Sequence, residues 1–280
     1  MTELKFNEDL AALFGYLAAD GYVIRNPPEQ IHKYYVMGLR NQNYTLLKDF
    51  QNRFYSYFGK KPHLRRAERC VLTSKDIYYR LTDGFSFYSA DWNMPDFKNR
   101  KLSASWLRAY YDCDGSVYCM KAKNRKISLE SINYDGILSI KNLLKEHFAI
   151  ESKVNKRTGR NTWTIDIFGK NNLIRFRKDI GFLHPKKRAK LDEAINSYVN
   201  YIWDVPSEND IVRFVRKHGN INKLRGIIIL NSIVKDNLEK VRKALIDLGI
   251  KSKVYGPWRN AHSTYYCIAI SLKDWNNYVN

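Results

Sequence analysis

The sequence predicts an α+β protein built from two copies of one helix–strand–helix–strand unit, followed by a weaker third copy. Three observations predict it: a recurring nine-residue segment, the same order of elements after each occurrence, and apolar spacing that switches between helical and strand periods. The first segment is residues 13–21, LFGYLAADG, and the second is residues 107–115, LRAYYDCDG. Each has small residues at its third and seventh positions and then Asp-Gly. These are Gly15, Ala19, Asp20 and Gly21 in one copy, and Ala109, Cys113, Asp114 and Gly115 in the other.

The elements follow in parallel. A strand at 34–40, an amphipathic helix at 45–58 and strands at 70–72 and 77–81 follow the first segment. A strand at 126–131, a helix at 136–148 and strands at 153–156 and 162–168 follow the second. A K-x-x-K-L run closes each unit, at 98–102 and 187–191. The third copy rests on residues 228–254, which share L-x-S-I, a helical apolar period and a final I-x-S-K-V with residues 127–154. A strand at 265–271 completes it. Its leading helix, 207–218, opens with a capping-box-like Ser-x-x-Asp. That helix has no acid at its end, so the third copy reads as a non-catalytic α/β extension. The expected divisions are residues 1–98, 99–200 and 201–280.

The formal charge is +20, from 48 Lys and Arg against 28 Asp and Glu, and it is spread along the chain. A folded body so charged attracts polyanions, and nucleic acid is the first candidate because phosphate neutralisation releases counterions. No apolar run reaches the roughly 18 residues of a membrane span, and no membrane partner is expected. The four cysteines, Cys70, Cys113, Cys119 and Cys267, have no C-x-x-C spacing, which argues against a zinc site or disulfide frame. The acidic, polar start MTELKFNEDL does not resemble a signal peptide, so an intracellular protein is expected.

The acidic ends of the repeated helices carry the chemistry. Gly15 and Ala19 lie four residues apart and share a helix face, as do Ala109 and Cys113. Small residues at that spacing let two backbones approach, so the helices are expected to pair there. Gly21 and Gly115 are expected as left-handed caps. Pairing brings Asp20 and Asp114 together at helix C-termini, where carboxylates meet both the helix dipole and each other. A divalent cation, Mg²⁺ or Mn²⁺, reverses that balance, with the carbonyls of Ala19 and Cys113 as further ligands.

These motifs resemble those of LAGLIDADG homing endonucleases in the single-chain, two-repeat form. The likeness covers roughly residues 10 to 200 and includes residues 180–191, IGFLHPKKRAKL. It implies two pseudo-symmetric α-β-β-α-β-β-α halves forming a saddle whose antiparallel sheets lie on DNA. It implies that Asp20 and Asp114, at the eighth motif position, are the metal-binding catalytic acids. The implied activity is a staggered double-strand cut in a long, nearly asymmetric target, made by a monomer on double-stranded DNA. Intron RNA bound by a maturase, or a non-cleaving DNA-binding regulator, is the alternative on the same scaffold. A basic residue near the scissile phosphate is expected at the matched Lys98 and Lys187, one closing each repeat, and Arg40 and Gln42 are candidates for orienting water. Two departures stand out: the sixth motif position is Ala18 in one copy and Asp112 in the other, and the second copy begins Leu-Arg-Ala.

Strand alternation gives the candidate DNA contacts. Val36 and Arg40 share one face of the first strand, with Arg25 and Tyr34 nearby. Lys126, Ser128 and Glu130 point outward from the second copy, as do Thr162 and Thr164. Hairpin turns add Lys121, Lys123, Arg125, Lys156, Arg157, Arg160 and Asn161. Arg65, Arg66 and Arg69 form a basic patch, and Arg80 follows two tyrosines. Strands of about ten residues span roughly 33 Å, which suits about ten base pairs per half.

Overall fold

Helix α1 (Glu8–Ala18) lies in the core of residues 1–198, and every residue from Leu10 to Ala18 is buried. Asn7 starts it by accepting the Leu10 amide at 2.9 Å, satisfying one of the unpaired first-turn donors. Its partner is α4 (Arg100–Asp114), which Asn99 caps in the same way. In this computed structural model, residues 4–27, 29–31, 34–66, 68–120, 123–198, 203, 205–207, 210–259 and 264–279 are described.

The two helices meet along the small faces. A Cβ on Gly15 would lie 2.3 Å from the Trp106 carbonyl oxygen and 3.0 Å from the Ala109 Cβ. No other residue admits that approach.

Each helix leads into a four-stranded antiparallel sheet. The first contains β1 (Gly21–Arg25), β2 (Tyr35–Arg40), β3 (His63–Arg65) and β4 (Arg69–Thr73), in the order β1-β2-β4-β3. Helix α2 (Tyr44–Phe58) follows β2, and α3 (Lys75–Leu81) follows β4. The second contains β5 (Ser116–Met120), β6 (Lys123–Ser131), β7 (Ser152–Lys156) and β8 (Trp163–Phe168), in the order β5-β6-β8-β7. Helices α5 (Tyr134–Phe148), α6 (Lys170–Asp179) and α7 (Pro185–Asn196) complete that half. The alternation holds: Met37 and Leu39 in β2 and Ile127 and Leu129 in β6 enter one shared core. Asn43 and Asn133 cap α2 and α5 at matching positions.

Two local expectations fail. Residues 77–81 lie in helix α3, not in a strand, because Ile77 and Leu81, four apart, are the residues it buries. Gly21 and Gly115 are not left-handed. Gly115 is extended at φ −71°, and glycine is required by proximity instead. A Cβ at Gly21 would sit 2.3 Å from the Leu17 Cα, and one at Gly115 would sit 2.5 Å from the Tyr111 carbonyl oxygen.

The chain divides into two compact units, Met1–Tyr198 and Val199–Asn280. The second unit holds α8 (Ile211–His218), β9 (Asn220–Asn222), β10 (Ile227–Ser232), α9 (Lys235–Asp247), β11 (Ser252–Arg259), β12 (Thr264–Ser271) and α10 (Leu272–Val279). Its sheet runs β9-β10-β12-β11, the first-second-fourth-third order of the other two. Ile228, Leu230, Leu238, Val241, Ile268 and Ile270 build its own core. Gly219 reproduces the helix exit of the first two copies, since a Cβ there would lie 2.5 Å from the Val215 carbonyl oxygen, four residues back. Counted from that glycine, His218 stands where Asp20 and Asp114 stand, and Arg213 and Lys217 replace the small pairing residues. Among the described residues no helix is long and apolar enough to cross a membrane.

Candidate active site and nucleic-acid interface

The close α1–α4 contact sets Asp20, in the turn just past α1, beside Asp114, the last residue of α4. Burial first, and then the Asp20 charge, push the Asp114 carboxyl up to about 7, with Lys187 pulling against them. Two open grooves flank the pair. The larger, about 750 Å³, is lined by Asp20, Arg40, Asn41, Gln42, Cys113, His184, Lys186 and Lys187. The smaller, about 240 Å³, is lined by Ala19, Ser89, Asp114, Glu130, Ser131 and Ile132. The grooves are crossed. Asp20 of the first repeat shares its groove with Cys113 of the second, and Asp114 shares its groove with Ala19.

The Asp20 groove is held by backbone and side chain together. Asn41 Nδ2 donates to Asp20 Oδ2 at 2.6 Å, and the Arg40 amide donates to the Asp20 carbonyl at 3.1 Å. Lys187 Nζ donates to the carbonyls of Tyr111, Asp112 and Cys113 at 3.1, 2.6 and 2.9 Å. These are terminal carbonyls of α4, which a helix leaves unpaired and partially negative. Burial lowers the Lys187 pKa, while the neighbouring Cys113, Asp112, Asp114 and Asp20 pull it up.

Asp112 is the residue that sequence reasoning noted only as a departure. It is 1% exposed, and its two oxygens accept the Leu183 and His184 amides at 3.0 and 2.9 Å. It thereby ties the chain entering α7 to the end of α4. Burial pushes its carboxyl up to about 6, although both amides and the Lys187 charge favour the ionised form. Asn41, His184 and Lys186 also went unidentified. The His-Pro-Lys-Lys start of α7 was the visible signal for His184 and Lys186.

Lys98 does not belong to this site. It precedes α4, whose far end carries Asp114, and a 15-residue helix separates its ends by roughly 22 Å. Its side chain is 87% exposed and pairs with Asp96. The two K-x-x-K-L runs are therefore not equivalent, since one opens α4 and the other lies within α7. Lys98→Ala is expected to leave any cleavage rate within about twofold of the parent, whereas Lys187→Met lowers it by about a hundredfold or more. Equal losses in a single-turnover assay would refute this distinction. The Cys113 carbonyl, expected as a metal ligand, here accepts from Lys187.

The candidate DNA contacts separate into two sets. Arg40, Arg69 and Arg65 are direct cross-strand partners on β2, β4 and β3, and all three are exposed. Like charges placed opposite one another destabilise a sheet. Burial raises the Tyr22 phenol pKa, and the charges of Arg69, Arg65 and Arg40 pull it back, so the three surround one ring. Arg66, Arg25 and Tyr34 are exposed nearby in the sequence, while Val36 is half-buried and brings no polar group. Arg80 lies on α3, not on a strand, with its guanidinium carbon 5.4 Å from the Phe58 ring centre.

On the second sheet the charges are largely spent internally. Lys126 pairs with Asp166 at 2.9 Å, Arg157 with Glu130 at 3.3 Å, and Thr162 donates to Glu130 at 2.8 Å. Arg125 Nε donates to Ser197 Oγ at 2.7 Å, and its Nη2 donates to the Ser197 carbonyl at 2.7 Å, so it anchors the end of α7. Ser128 and Thr164 are buried, which corrects the expectation of outward contacts there. Lys156, Arg160 and Asn161 are exposed on the β7–β8 turn. Lys121 and the Lys123 side chain lie outside the described residues.

A divalent metal fits the acid pair on its chemistry. Among the described residues no group of three or more His, Cys, Asp or Glu side chains could hold an ion. Two crowded carboxylates, one of them pushed toward its protonated form, are hard oxygen donors whose mutual repulsion a divalent cation would offset.

A family profile for a LAGLIDADG-like domain matches residues 101–181. The chain is 27% identical over 152 residues to a DNA polymerase of Thermococcus aggregans, which covers 49% of this chain and 8% of that protein. It is 24% identical over 239 residues to the replication factor C small subunit of Methanocaldococcus jannaschii, covering 80% and 12%. In both cases the chain spans only a small part of the relative's length. The fold matches that of I-DmoI, solved in complex with DNA and Ca, with a TM-score of 0.50 and 14% identity, over 66% of this chain and 97% of that one. Variants of the homing endonuclease I-DmoI give the same values. Residues 101–181 thus match a LAGLIDADG-like domain, and about two thirds of the chain shares the fold of I-DmoI.

Proposed function

We propose that the chain is a site-specific DNA endonuclease that hydrolyses both strands of a long target with Mg²⁺ or Mn²⁺. The observation that carries this reading is the acid pair at the α1–α4 junction, with Lys187 and Gln42 in the same groove as Asp20. Such crowding costs stability, and a catalytic metal site is what it serves. The I-DmoI structure with DNA and Ca supports the choice of partner and the use of a divalent ion. Asp20 and Asp114 would hold the metal, with the Ala19 and Cys113 carbonyls beside them. When bound, the ion lowers the pKa of water and offsets charge on the phosphate. Lys187 supplies a fixed cation for the negative charge carried by the phosphoryl oxygens. Gln42 and Asn41 orient water and the Asp20 carboxylate. The arginine row on the first sheet grips backbone or bases, and the exposed cations of the β7–β8 turn extend that hold.

The test is incubation with the uninterrupted insertion locus of the protein's own gene and Mg²⁺. A discrete double-strand cut, lost in Asp20→Asn and in Asp114→Asn, is expected. DNA bound tightly but left whole in Mg²⁺ and Mn²⁺ would replace this reading with a non-cleaving regulator.

The division into repeats at 1–98 and 99–200 and an extension at 201–280 belongs to the same proposal. The third copy is a DNA-contacting module that has lost its acid. Arg213, Arg216 and Lys217 are all exposed on α8. Converting Arg213 and Lys217 to Glu in the full chain is expected to weaken DNA binding by about tenfold at moderate salt and to reduce the salt slope by about two. A salt dependence identical to the parent's would remove this role.

A further inference from the structure

We propose that the open sheet face of the second unit is a stacking platform for single-stranded nucleic acid, on which Tyr255, Trp258 and Tyr265 take unpaired bases. This goes beyond the DNA contact assigned above to the cations of α8, and it holds whether or not the chain cuts DNA.

One face of this sheet meets the core and the other is left open. Ile228, Leu230, Ile268 and Ile270 face the core, where Ile211 and Val215 bring α8 and Leu238 and Val241 bring α9. Successive side chains along a strand alternate. Ile227, Ile229 and Asn231 of β10 therefore point the other way, as do Tyr265, Cys267 and Ala269 of β12. The register agrees, pairing Ile229 with Ala269 and Asn231 with Cys267. None of the apolar residues among these six packs on the core of the unit.

Strand β11 adds two more rings to the same face. Tyr255 and Trp258 are three residues apart, so a regular strand would send them to opposite faces. A bulge between them reverses this. Tyr255 pairs with Cys267 and Trp258 pairs with Tyr265, and those partners are two apart and share a face. Tyr255 is 42% exposed and Trp258 is 52% exposed. Three rings thus gather at one end of an open sheet, two of them largely in water, and such a patch marks a binding surface.

Charge separates this face from those of the first unit. On the second sheet, Lys126 is paired with Asp166, and Glu130 accepts from Thr162. The four strands of the third sheet contain no Asp or Glu. Their charged side chains are Lys253 and Arg259, both on β11 and both exposed. Lys253 pairs with Ala269 and so shares the open face, with its Nζ 5.4 Å from the Tyr255 ring centre. The β9–β10 turn adds Lys223 and Arg225, also exposed.

This combination selects a ligand. Phosphates meet cations on this sheet and no carboxylate to repel them. Aromatic rings take the flat faces of bases, which every base presents once it is unstacked and which a duplex hides. Same-face positions along a strand lie about 7 Å apart, so the Tyr255 row and the Trp258–Tyr265 row can seat separate bases. Asn231, in the same cross-strand row as Cys267 and Tyr255, offers both a donor and an acceptor to a base edge.

The experiment is fluorescence anisotropy of the full chain in EDTA. The probes are short end-labelled single strands of mixed sequence, one RNA and one DNA, and the blunt duplex of the DNA strand. The double variant Tyr255→Ala, Trp258→Ala is expected to lose at least about tenfold in single-strand affinity and to keep its duplex affinity within about twofold. Both positions are exposed, so its melting curve should match the parent's. Trp258→Phe, which keeps a ring, should retain most of the single-strand affinity. The ratio of parent to double-variant affinity should persist as salt rises, because stacking is not screened. Binding of either single strand supports the proposal, and the tighter arm tells whether RNA or DNA is preferred. No loss on single strands, or equal losses on single strands and duplex, would overturn it. A parent that self-associates in sedimentation, with a double variant that does not, would assign the face to a second copy and overturn it too. Failure here leaves the nuclease reading intact, because Asp20 and Asp114 belong to the other unit.

Discussion

Asp114→Asn is expected to abolish cleavage, by at least about a thousandfold, and yet to stabilise the metal-free protein. The acid is held at a helix C-terminus, buried, and facing Asp20, and its carboxyl is pushed up to about 7. Asp112, two residues earlier, is pushed up to about 6, chiefly by burial. In the unfolded chain both carboxyls titrate at their ordinary value near 4. A raised carboxyl binds its proton more tightly in the folded state, so its contribution is complete below about pH 4. It is lost progressively as pH rises through about 6 for Asp112 and about 7 for Asp114. The metal-free protein should therefore lose stability from these two groups between about pH 4 and pH 7. Asn at 114 removes the upper part of that loss. Full conversion of the shift would be about 4 kcal/mol, but Asp114 is partly open to water. A gain of about 1–2 kcal/mol at pH 8 is expected after that screening, or roughly 2–8 °C in Tm. Millimolar Mg²⁺ should reverse the order by stabilising the parent and not the variant. Superimposable melting curves for the two proteins in EDTA from pH 5 to pH 8 would contradict the account.

Gly15→Val is expected to cost more than any other single change at the α1–α4 seam. The first added carbon would already lie 2.3 Å from the Trp106 carbonyl oxygen. That oxygen cannot retreat, because Trp106 is fully buried, stacked on Tyr110 at 5.0 Å and tilted against Trp92 at 5.7 Å. The helices must separate or the first unit must unfold, and overpacking of this kind costs about 3 kcal/mol or more. Gly15→Ala tests the same seam more gently. It should retain the fold, lower Tm by several degrees, and reduce cleavage more than DNA affinity, because the acids move apart while the arginine row does not. A Gly15→Val protein that melts like the parent in thermal denaturation would refute the close approach.

The paired motifs were legible because their chemistry is local in sequence. Small residues four apart signal a tight helix seam, and an acid at the end of each helix signals the site. Strand alternation around Met37, Leu39, Ile127 and Leu129 was readable for the same reason. Residues 77–81 were misread because a seven-residue helix buries only Ile77 and Leu81, too few to show a period against its tyrosines. Gly21 and Gly115 were identified as necessary, but for the wrong reason, since contact with the preceding turn is invisible without coordinates. Lys98 was matched to Lys187 by a shared K-x-x-K-L string, which opens α4 in one copy and lies within α7 in the other. Arg125 and Lys126 looked like free cations because their partners, Ser197 and Asp166, are 72 and 40 residues away. The leading helix of the third copy was legible at 207–218, but its position-by-position match to the motif helices was not, because His218, Arg213 and Lys217 stand at the diagnostic positions and only the glycine remains.

The crossed grooves carry a consequence for the halves taken separately. An acid from one repeat and a carbonyl-bearing residue from the other line each groove, so severing the chain between residues 98 and 99 leaves two fragments with no finished reaction centre in either. Activity should return only on mixing, at a rate that scales with the product of the two fragment concentrations. The covalent connection would thus act as a concentration device, making encounter of the two halves a first-order event.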